Sequence, residues 1–217
     1  MSPPPWQEHP DDTKVIGRNV AFIDLQIEAR KGSREPFALD LPLAWHTQLH
    51  VGCTHVPVPQ YVGNYRGTPQ PYINFCPVMF GSFTGAPATQ VATELAAFET
   101  SLQRELERLD AAMPEELAAT PSRLNLALQV VAVYYATWLR IHPFADGNGR
   151  TARLLANWIM ARYWQPLIFP GRPPIDRDVL LAATTSAIAS HDHRALIRHM
   201  RKRLTTARAG QHGTTRH

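Results

Sequence analysis

Two helix-forming segments joined by a short glycine-rich loop constrain the fold of this chain more than any other feature. In residues 121–140, apolar side chains recur at spacings of three and four, which predicts a long helix with one buried face. Pro143 disfavours helical backbone at the residue before it, so His142 should lie on a loop at the end of this helix. A second helix is predicted to begin near Asn148 and to end before Pro166.

Further helical patterns make the predicted fold class mainly α. A short helix is predicted over residues 42–50 and a long one over residues 91–106. Thr120 precedes a proline, which is a typical N-cap and first-turn pair for the helix that leads to the loop. Two more helices are predicted near the C-terminus, with Asp176 and Asp192 as their N-terminal caps.

Residues 72–83 differ from the rest because their short, aromatic and β-branched pattern is typical of strands. Pro77 and Gly81 interrupt the pattern, which indicates a twisted hairpin at an edge where a peptide could pair. The apolar period of residues 20–27 fits a helix and a strand equally well, so the structure of the first forty residues stays open. The overall expectation is a helical bundle with one short β-hairpin.

Length and composition indicate one globular domain. The 217 residues are 44% hydrophobic, which is enough for an ordinary buried core. The longest uncharged run, residues 124–139, is too short and too mixed to span a bilayer, so no membrane span is predicted. Cys53 and Cys76 form neither a disulfide framework nor a metal-binding pattern. The N-terminus shows no secretory signal, so a cytoplasmic protein is expected.

The chain is basic, with a formal charge of +4 and a pI near 9.3. The excess positive charge is concentrated after Arg194, where a solvated face of a last helix accounts for it. No interleaved aromatic residues accompany these charges, so nucleic-acid binding is not predicted.

The loop and the start of the helix after it carry the features of an anion site. Gly147 and Gly149 permit a tight turn in which successive N–H groups point into one concavity, and the following helix adds the positive end of its dipole. Arg150 and Arg153 lie three residues apart in the first turn, where the same dipole disfavours cations. A bound anion that outweighs this repulsion would explain the two arginines.

His142 and Asp146 add acid–base and metal-binding groups to the same segment. His142 has an ordinary pKa suited to general-base work near neutrality, and Asp146 is a hard oxygen donor suited to Mg2+ beside phosphates. Each feature also has an ordinary interpretation: the glycines could form a simple turn, His142 could be structural, and the arginines could make solvent-facing ion pairs. His142 and Asp146 could also be two ligands of a transition metal, but the chain shows no third ligand at a telling spacing. Their joint occurrence within twelve residues favours a catalytic site.

Residues 142–153 read HPFADGNGRTAR and match every specified position of HPFx(D/E)GNGRxxR, so the chain resembles the Fic (fido) family. Residues 63–67, Gly-Asn-Tyr-Arg-Gly, are similar to the family's G-x-Y-R element before its β-hairpin flap. The resemblance implies a Fic-fold helical bundle over residues 41–204. Residues 1–40 would then be an N-terminal segment of uncertain structure and residues 205–217 a basic, flexible tail.

The resemblance implies a protein adenylyltransferase, which moves AMP from ATP to a Ser, Thr or Tyr hydroxyl of a target protein and releases pyrophosphate. His142 would deprotonate the hydroxyl, and Asp146 would hold Mg2+. Arg153 would bind toward the γ-phosphate. The implied phosphate-binding positions are Gly147, Asn148, Gly149, Arg150 and Arg153.

The implied flap spans residues 73–83, where Ile73, Asn74 and Phe75 would register a target segment by strand-like pairing. Many relatives carry an inhibitory helix with the motif (S/T)xxxE(G/N), whose Glu pairs with the second motif arginine. This chain contains no such motif. The resemblance therefore favours an antitoxin-like partner that supplies the Glu, as in a toxin–antitoxin pair, with an unrestrained enzyme as the alternative.

Other functions stay open at the level of sequence. The motif recognises phosphate groups and not the nucleobase, so the donated group could be UMP, GMP or phosphocholine. Gly149 differs from the lysine of Doc-type relatives, which transfer phosphate. A non-catalytic nucleotide- or peptide-binding module would be expected to lose the histidine or an arginine of the motif. Removal of AMP from modified proteins would rely on the inhibitory Glu, which this chain lacks. Translocation of the protein as an effector is a further alternative to a cytoplasmic regulator.

Overall fold

The computed structural model of the chain describes residues 4, 6, 8–80, 83–115, 119–171 and 176–213. These residues form a mainly α bundle with one short hairpin, which confirms the predicted fold class. The helices are α1 (Pro10–Ala29), α2 (Asp40–Leu49), α3 (Ala88–Ala112), α4 (Pro121–Ile141), α5 (Asn148–Arg162), α6 (Arg177–Ser190) and α7 (Arg194–Gly213). The strands are β1 (Met79–Phe80) and β2 (Phe83–Thr84), and a 3-10 turn spans Pro59–Tyr61.

Helix α4 is the central element, since α3, α5, α6 and α7 all pack against it. Its start follows the predicted signal, because the Thr120 hydroxyl accepts a hydrogen bond from Arg123 N at 3.3 Å. Trp138 is fully buried and its indole N–H donates to Thr151 Oγ1 at 2.9 Å, which joins α4 to α5. In the described part of the chain α4 alone is long and apolar enough to cross a membrane, and 67% of that stretch is buried as in a core helix.

The N-terminal segment is part of the same bundle. Residues 20–27, which the sequence left open, lie within α1, and α1 packs against α2 and α5. Its apolar face buries Ile16, Val20, Ile23 and Ile27 in the common core. The buried face of α1 is thus completed by its neighbours in the bundle.

The C-terminal segment also differs from expectation. Residues 205–213, predicted as the start of a flexible tail, continue α7, while residues 214–217 lie outside the described residues. The Asp176 side chain makes no cap hydrogen bond to α6 and instead accepts one from Arg203 Nη1 at 2.9 Å. Asp192 lies one residue before the N-cap position of α7, since His193 O accepts the first helical bond, and its carboxylate accepts from Arg194 N at 3.0 Å.

The hairpin is shorter than predicted. Strands β1 and β2 are antiparallel, with Met79 opposite Thr84, whereas residues 71–75 form a turn. Backbone groups before β1 bond elsewhere: the carbonyl of Ile73 accepts from Gly67 N at 2.9 Å, and that of Cys76 from Arg66 Nη1 at 2.8 Å. This segment therefore cannot offer those groups to a second strand.

Candidate active site

His142 lies at the junction between α4 and the glycine-rich loop. It is the C-cap of α4 with φ of +53°, and its N–H donates to Trp138 O at 2.9 Å. The side chain is only 8% exposed, and Nδ1 lies 2.9 Å from Leu139 O. A carbonyl can only accept, so Nδ1 carries the proton of the neutral ring and the lone pair is on Nε2.

Burial keeps the imidazole of His142 neutral. It lowers the pKa of His142 to about 4, and the positive charge of Arg66 adds to this effect, while the hydrogen bond to Leu139 opposes it. The ring is therefore unprotonated at neutral pH and can accept a proton.

Arg66 joins the catalytic loop to the hairpin. Its side chain is 2% exposed and its guanidinium donates to four backbone carbonyls at 2.8–3.1 Å. The four acceptors are the carbonyls of Cys76, Ala86, Ile141 and His142. A planar guanidinium with five donors suits such a hub, so Arg66 fixes the backbone of His142 relative to residue 76.

Asn148 and Phe144 hold the loop closed. The Asn148 amide accepts from Phe144 N and donates to Phe144 O, both at 2.8 Å. Phe144 is fully buried and stacks on His46 with ring centroids 3.9 Å apart. The Asn148 side chain therefore shapes the loop, and only its backbone stands at the phosphate-binding turn predicted from the sequence.

His46 is a loop-positioning residue that the sequence did not reveal. Its Nε2 donates to Asp146 O at 2.9 Å and its Nδ1 accepts from Gly63 N at 3.1 Å. Burial lowers the pKa of His46 to about 3, so the ring stays neutral. No local pattern marks it, because its partner on the loop lies 100 residues away in the chain.

The two loop glycines have different environments. Gly147 has φ of +80°, and a Cβ there would lie 3.1 Å from His46 Cδ2, so this position requires glycine. A Cβ at Gly149 would meet only Arg153 Nη1, at 4.0 Å. The backbone of α5 at Gly149 can therefore be approached closely by a ligand.

Asp146, Arg150 and Arg153 form the charged floor of the site. Arg150 Nη1 donates to Asp146 Oδ2 at 3.1 Å, and Arg150 Nη2 also pairs with Glu8. Burial and the charge of Arg153 lower the pKa of Arg150 to about 10. Within the described ranges no carboxylate forms an ion pair with Arg153, whose pKa is lowered by burial and further by the charge of Arg177. Arg153 is thus a partly buried cation without a paired carboxylate among the described residues, which favours an anionic ligand.

A cavity of about 1080 Å³ contains these groups. Its walls come from the motif, the hairpin region, α6 and the N-terminal segment, which contributes Pro4, Trp6 and Glu8. Arg177 on α6 adds a third arginine that the sequence did not single out. The lining from the motif is His142, Ala145, Asp146, Gly147, Asn148, Gly149, Arg150 and Arg153. The structure thus brings together all the predicted motif residues.

The predicted docking residues of the flap lie elsewhere. Among the described residues of the hairpin region, residues 76–79 line the cavity, whereas Ile73, Asn74 and Phe75 do not. Ile73 is fully buried, whereas Phe75 is 71% exposed. The docking role of these three residues stays a prediction. The residues of this region that line the cavity together with His142 are the next four in the chain, residues 76–79.

Comparison with known proteins shows the family of this chain. A family model described as Fic/DOC family matches residues 43–160, which is more than half of the chain. The chain belongs to the Fic/DOC family. The matched Fic/DOC region extends from α2 to α5 and so includes the loop, both arginines and Arg66.

Other Fic proteins resemble the chain more distantly. Protein adenylyltransferase fic-1 of Caenorhabditis briggsae is 27% identical over 161 residues, which cover 74% of this chain and 26% of that protein. The crystal structure of the VirB-translocated effector BepC of Bartonella tribocorum with bound AMPPNP has a TM-score of 0.63 at 14% identity and covers 90% of this chain and 87% of that one. The Fic domain of Bep8 from Bartonella sp. 1-1C gives 0.60 at 12% identity, with coverages of 93% and 87%. The chain thus spans about a quarter of the length of the curated relative.

Proposed function

We propose that this Fic protein transfers AMP from ATP to a hydroxyl group of a target protein. The observation that carries the proposal is that a neutral, buried His142 shares one cavity with Arg150, Arg153 and the open backbone at Gly149. The name of the relative fic-1 and the AMPPNP bound to BepC support a nucleotide as the donor. The chain would therefore act as a nucleotidyltransferase.

The geometry of His142 suits a general base. Leu139 O accepts from Nδ1–H, which orients the ring and places the basic lone pair on Nε2, the atom that would take the proton of the acceptor hydroxyl. The hydroxyl oxygen then forms a bond to the α-phosphorus of ATP, and the bond from that phosphorus to the oxygen bridging to the β-phosphate breaks. Pyrophosphate leaves with the electron pair, and the target retains AMP.

The charged floor suits the triphosphate. Arg150 and Arg153 would offset phosphate charge, and the N-terminal turn of α5 would offer N–H groups at Gly149. Because Arg150 and Arg153 are only partly exposed, their attraction for phosphate is stronger than it would be at the open surface. Positioning and charge neutralisation are the main requirements of this class of reaction.

Asp146 would hold Mg2+. Its carboxylate lines the cavity and burial raises its pKa, so a divalent cation beside it would offset the cost of keeping the charge there. Bound Mg2+ would supply further neutralisation of phosphate charge. The Asp146 side chain now accepts from Arg150, so this contact would change when metal and nucleotide bind.

The decisive experiment measures transfer of label from α-labelled ATP to proteins of a cell lysate in the presence of Mg2+. Wild type is compared with His142→Asn, because Asn tolerates the left-handed backbone of this position but cannot serve as the base. We expect labelled protein bands with wild type and a loss of at least about 100-fold in the variant. Parallel reactions with α-labelled UTP and GTP identify the donor.

Three outcomes would contradict the proposal. Equal labelling by the His142→Asn protein would remove the base assignment, and labelling from UTP or GTP alone would replace AMP as the transferred group. ATP binding without any transfer to protein would indicate a binding module. Matching thermal unfolding of the two proteins is the control that the variant is folded.

A further inference from the structure

A group of metal-ligand residues lies outside the catalytic cavity, where the start of α1 meets the loop after α2. His9, Asp11 and His55 each offer one ligand atom, and these atoms all lie within 4.8 Å of one another. The imidazole rings of His9 and His55 are nearly parallel, with centroids 3.6 Å apart. Residues 9 and 11 are thus brought to residue 55 by the tertiary fold, not by sequence proximity.

A buried carboxylate fixes one side of this group. Asp12 is 5% exposed, and its two carboxylate oxygens accept from the backbone N–H groups of Thr54 and His55, each at 3.0 Å. Asp12 Oδ1 also lies 3.5 Å from Nδ1 of His55, and Thr54 Oγ1 lies 3.1 Å from the same nitrogen. A carboxylate beside one ring nitrogen is the usual support of a metal-binding histidine, because it leaves the other nitrogen for the metal.

We propose that His9, Asp11 and His55 bind a divalent transition metal of the Zn2+ type. Two imidazoles and one carboxylate form a donor set that suits Zn2+ and leaves a fourth position for water, whereas Mg2+ prefers oxygen donors alone. Ligand atoms around a tetrahedral Zn2+ are about 3.3 Å apart, given bonds of about 2.0–2.1 Å. The side chains of His9, Asp11 and His55 are 44%, 77% and 41% exposed, so they have room to rotate from the present spacing toward a metal.

The metal would hold the N-terminal segment across the cavity. His9 directly follows Glu8, which pairs with Arg150 and accepts from Thr13 Oγ1 at 2.7 Å. Tyr61 further anchors this segment, since its hydroxyl donates to Pro4 O at 2.6 Å. A bound metal would therefore favour the arrangement in which Glu8 occupies Arg150. This second part rests on the proposed function, because it assigns Arg150 to phosphate.

The test of the site is metal binding by the full chain after treatment with a chelator. Calorimetry with Zn2+ and the visible absorption of bound Co2+ are compared for wild type, His9→Ala and His55→Ala. His193→Ala is the matched control, because His193 lies directly before α7 and is not part of the group of His9, Asp11 and His55. We expect one metal per wild-type and control chain and an affinity lower by at least about tenfold in each ligand variant.

An Asp146→Asn protein separates this site from the catalytic cavity. Zn2+ affinity that is unchanged in both ligand variants, or that is lost in Asp146→Asn instead, would overturn the proposed site. The metal-free variants must unfold at the temperature of metal-free wild type, so a lost signal cannot come from misfolding. None of these readouts depends on transfer activity, so failure of the site and failure of the proposed function are distinguishable.

The coupling to the cavity has its own readout. ATP affinity measured with Mg2+ should fall when wild type is loaded with Zn2+, and it should not change in His55→Ala. Equal ATP affinity of the loaded and metal-free wild type would overturn the coupling while the metal site stood on its binding data.

Discussion

Arg150 contacts two carboxylates, Asp146 in the loop and Glu8 in the N-terminal segment. Both would compete with phosphate for the same guanidinium. Glu8 is therefore a carboxylate of this chain at the arginine that we propose binds phosphate, although the chain lacks the (S/T)xxxE(G/N) motif. A partner that supplies a Glu to Arg153 stays a prediction. Glu8 would compete with phosphate at Arg150 without any partner.

The first prediction concerns Glu8. Glu8→Gln should strengthen ATP binding about tenfold, equal to about 1.4 kcal/mol, because the amide no longer competes as an anion for Arg150. Isothermal calorimetry with Mg2+ and ATP measures the affinity, and Glu28→Gln, whose carboxylate pairs with Lys31 in the turn after α1, is the control. Unchanged affinity in Glu8→Gln would mean that the pair does not compete with phosphate.

The second prediction is a pH dependence of stability. The pKa of His142 is lowered to about 4 from an ordinary 6.5, so the unfolded chain binds more protons at this residue between those values. Relative to His142→Asn, the wild type should gain stability as pH rises from 4 to 6.5, with a slope approaching about 1.4 kcal/mol per pH unit. Chemical denaturation of both proteins at several pH values gives the difference, and a constant difference would contradict a neutral, buried His142.

At the scale of elements, the site is a helix–loop–helix junction whose geometry is fixed from both sides. The end of α4 places His142 in a left-handed conformation, and the start of α5 places Gly147 in another. Arg66 and His46 then hold the loop through backbone carbonyls. Such a junction keeps the base and the anion site in fixed relation, which is what catalysis by positioning needs.

The third prediction compares the two loop glycines. Gly147→Ala should lower the free energy of unfolding by about 1–2 kcal/mol, because Ala is strained at φ of +80° and its Cβ would crowd His46. Gly149→Ala should leave stability equal or raise it by up to about 1 kcal/mol, since its Cβ enters open space in the first turn of a helix. Urea denaturation measures both, and equal effects of the two substitutions would contradict this assignment.

At the scale of the whole molecule, α1 serves both the core and the cavity. Its apolar face lies in the common core, and the residues that precede it line the site. A chain that lacks residues 1–9 and a chain that lacks residues 1–29 therefore test different things. The shorter deletion removes the part of the cavity wall that Pro4, Trp6 and Glu8 form, and the longer one also removes a core helix.

The fourth prediction follows from this difference. Removal of residues 1–29 should prevent folding, because the loss of Ile16, Val20, Ile23 and Ile27 costs about 6–12 kcal/mol of burial, comparable with the total stability of a domain. Removal of residues 1–9 should leave a cooperative thermal transition within a few degrees of wild type. Circular dichroism and calorimetry follow both, and a folded protein without residues 1–29 would show that α1 is not needed for the core.

The sequence alone determined the parts of this protein that depend on local chemistry. The spacing of apolar residues predicted α4 and α5, Thr120 and Pro121 marked where α4 begins, and residues 142–153 carried the whole motif in one contiguous segment. These features follow from backbone preferences and side-chain periodicity within a few turns, so they are visible without a fold.

Only the tertiary structure decided what surrounds that segment. Glu8, His46 and Arg66 come from segments 76–142 residues away from their partners on the motif, and no local pattern encodes such contacts. The hairpin is shorter than its strand-like pattern because Arg66 and Gly67 take the backbone groups before β1. Residues 205–213 continue α7, which packs against α4 and α6, and Arg208 Nε in this last stretch donates to Gln165 Oε1 at 3.2 Å. Long-range packing and backbone hydrogen bonding, rather than local propensity, set these features.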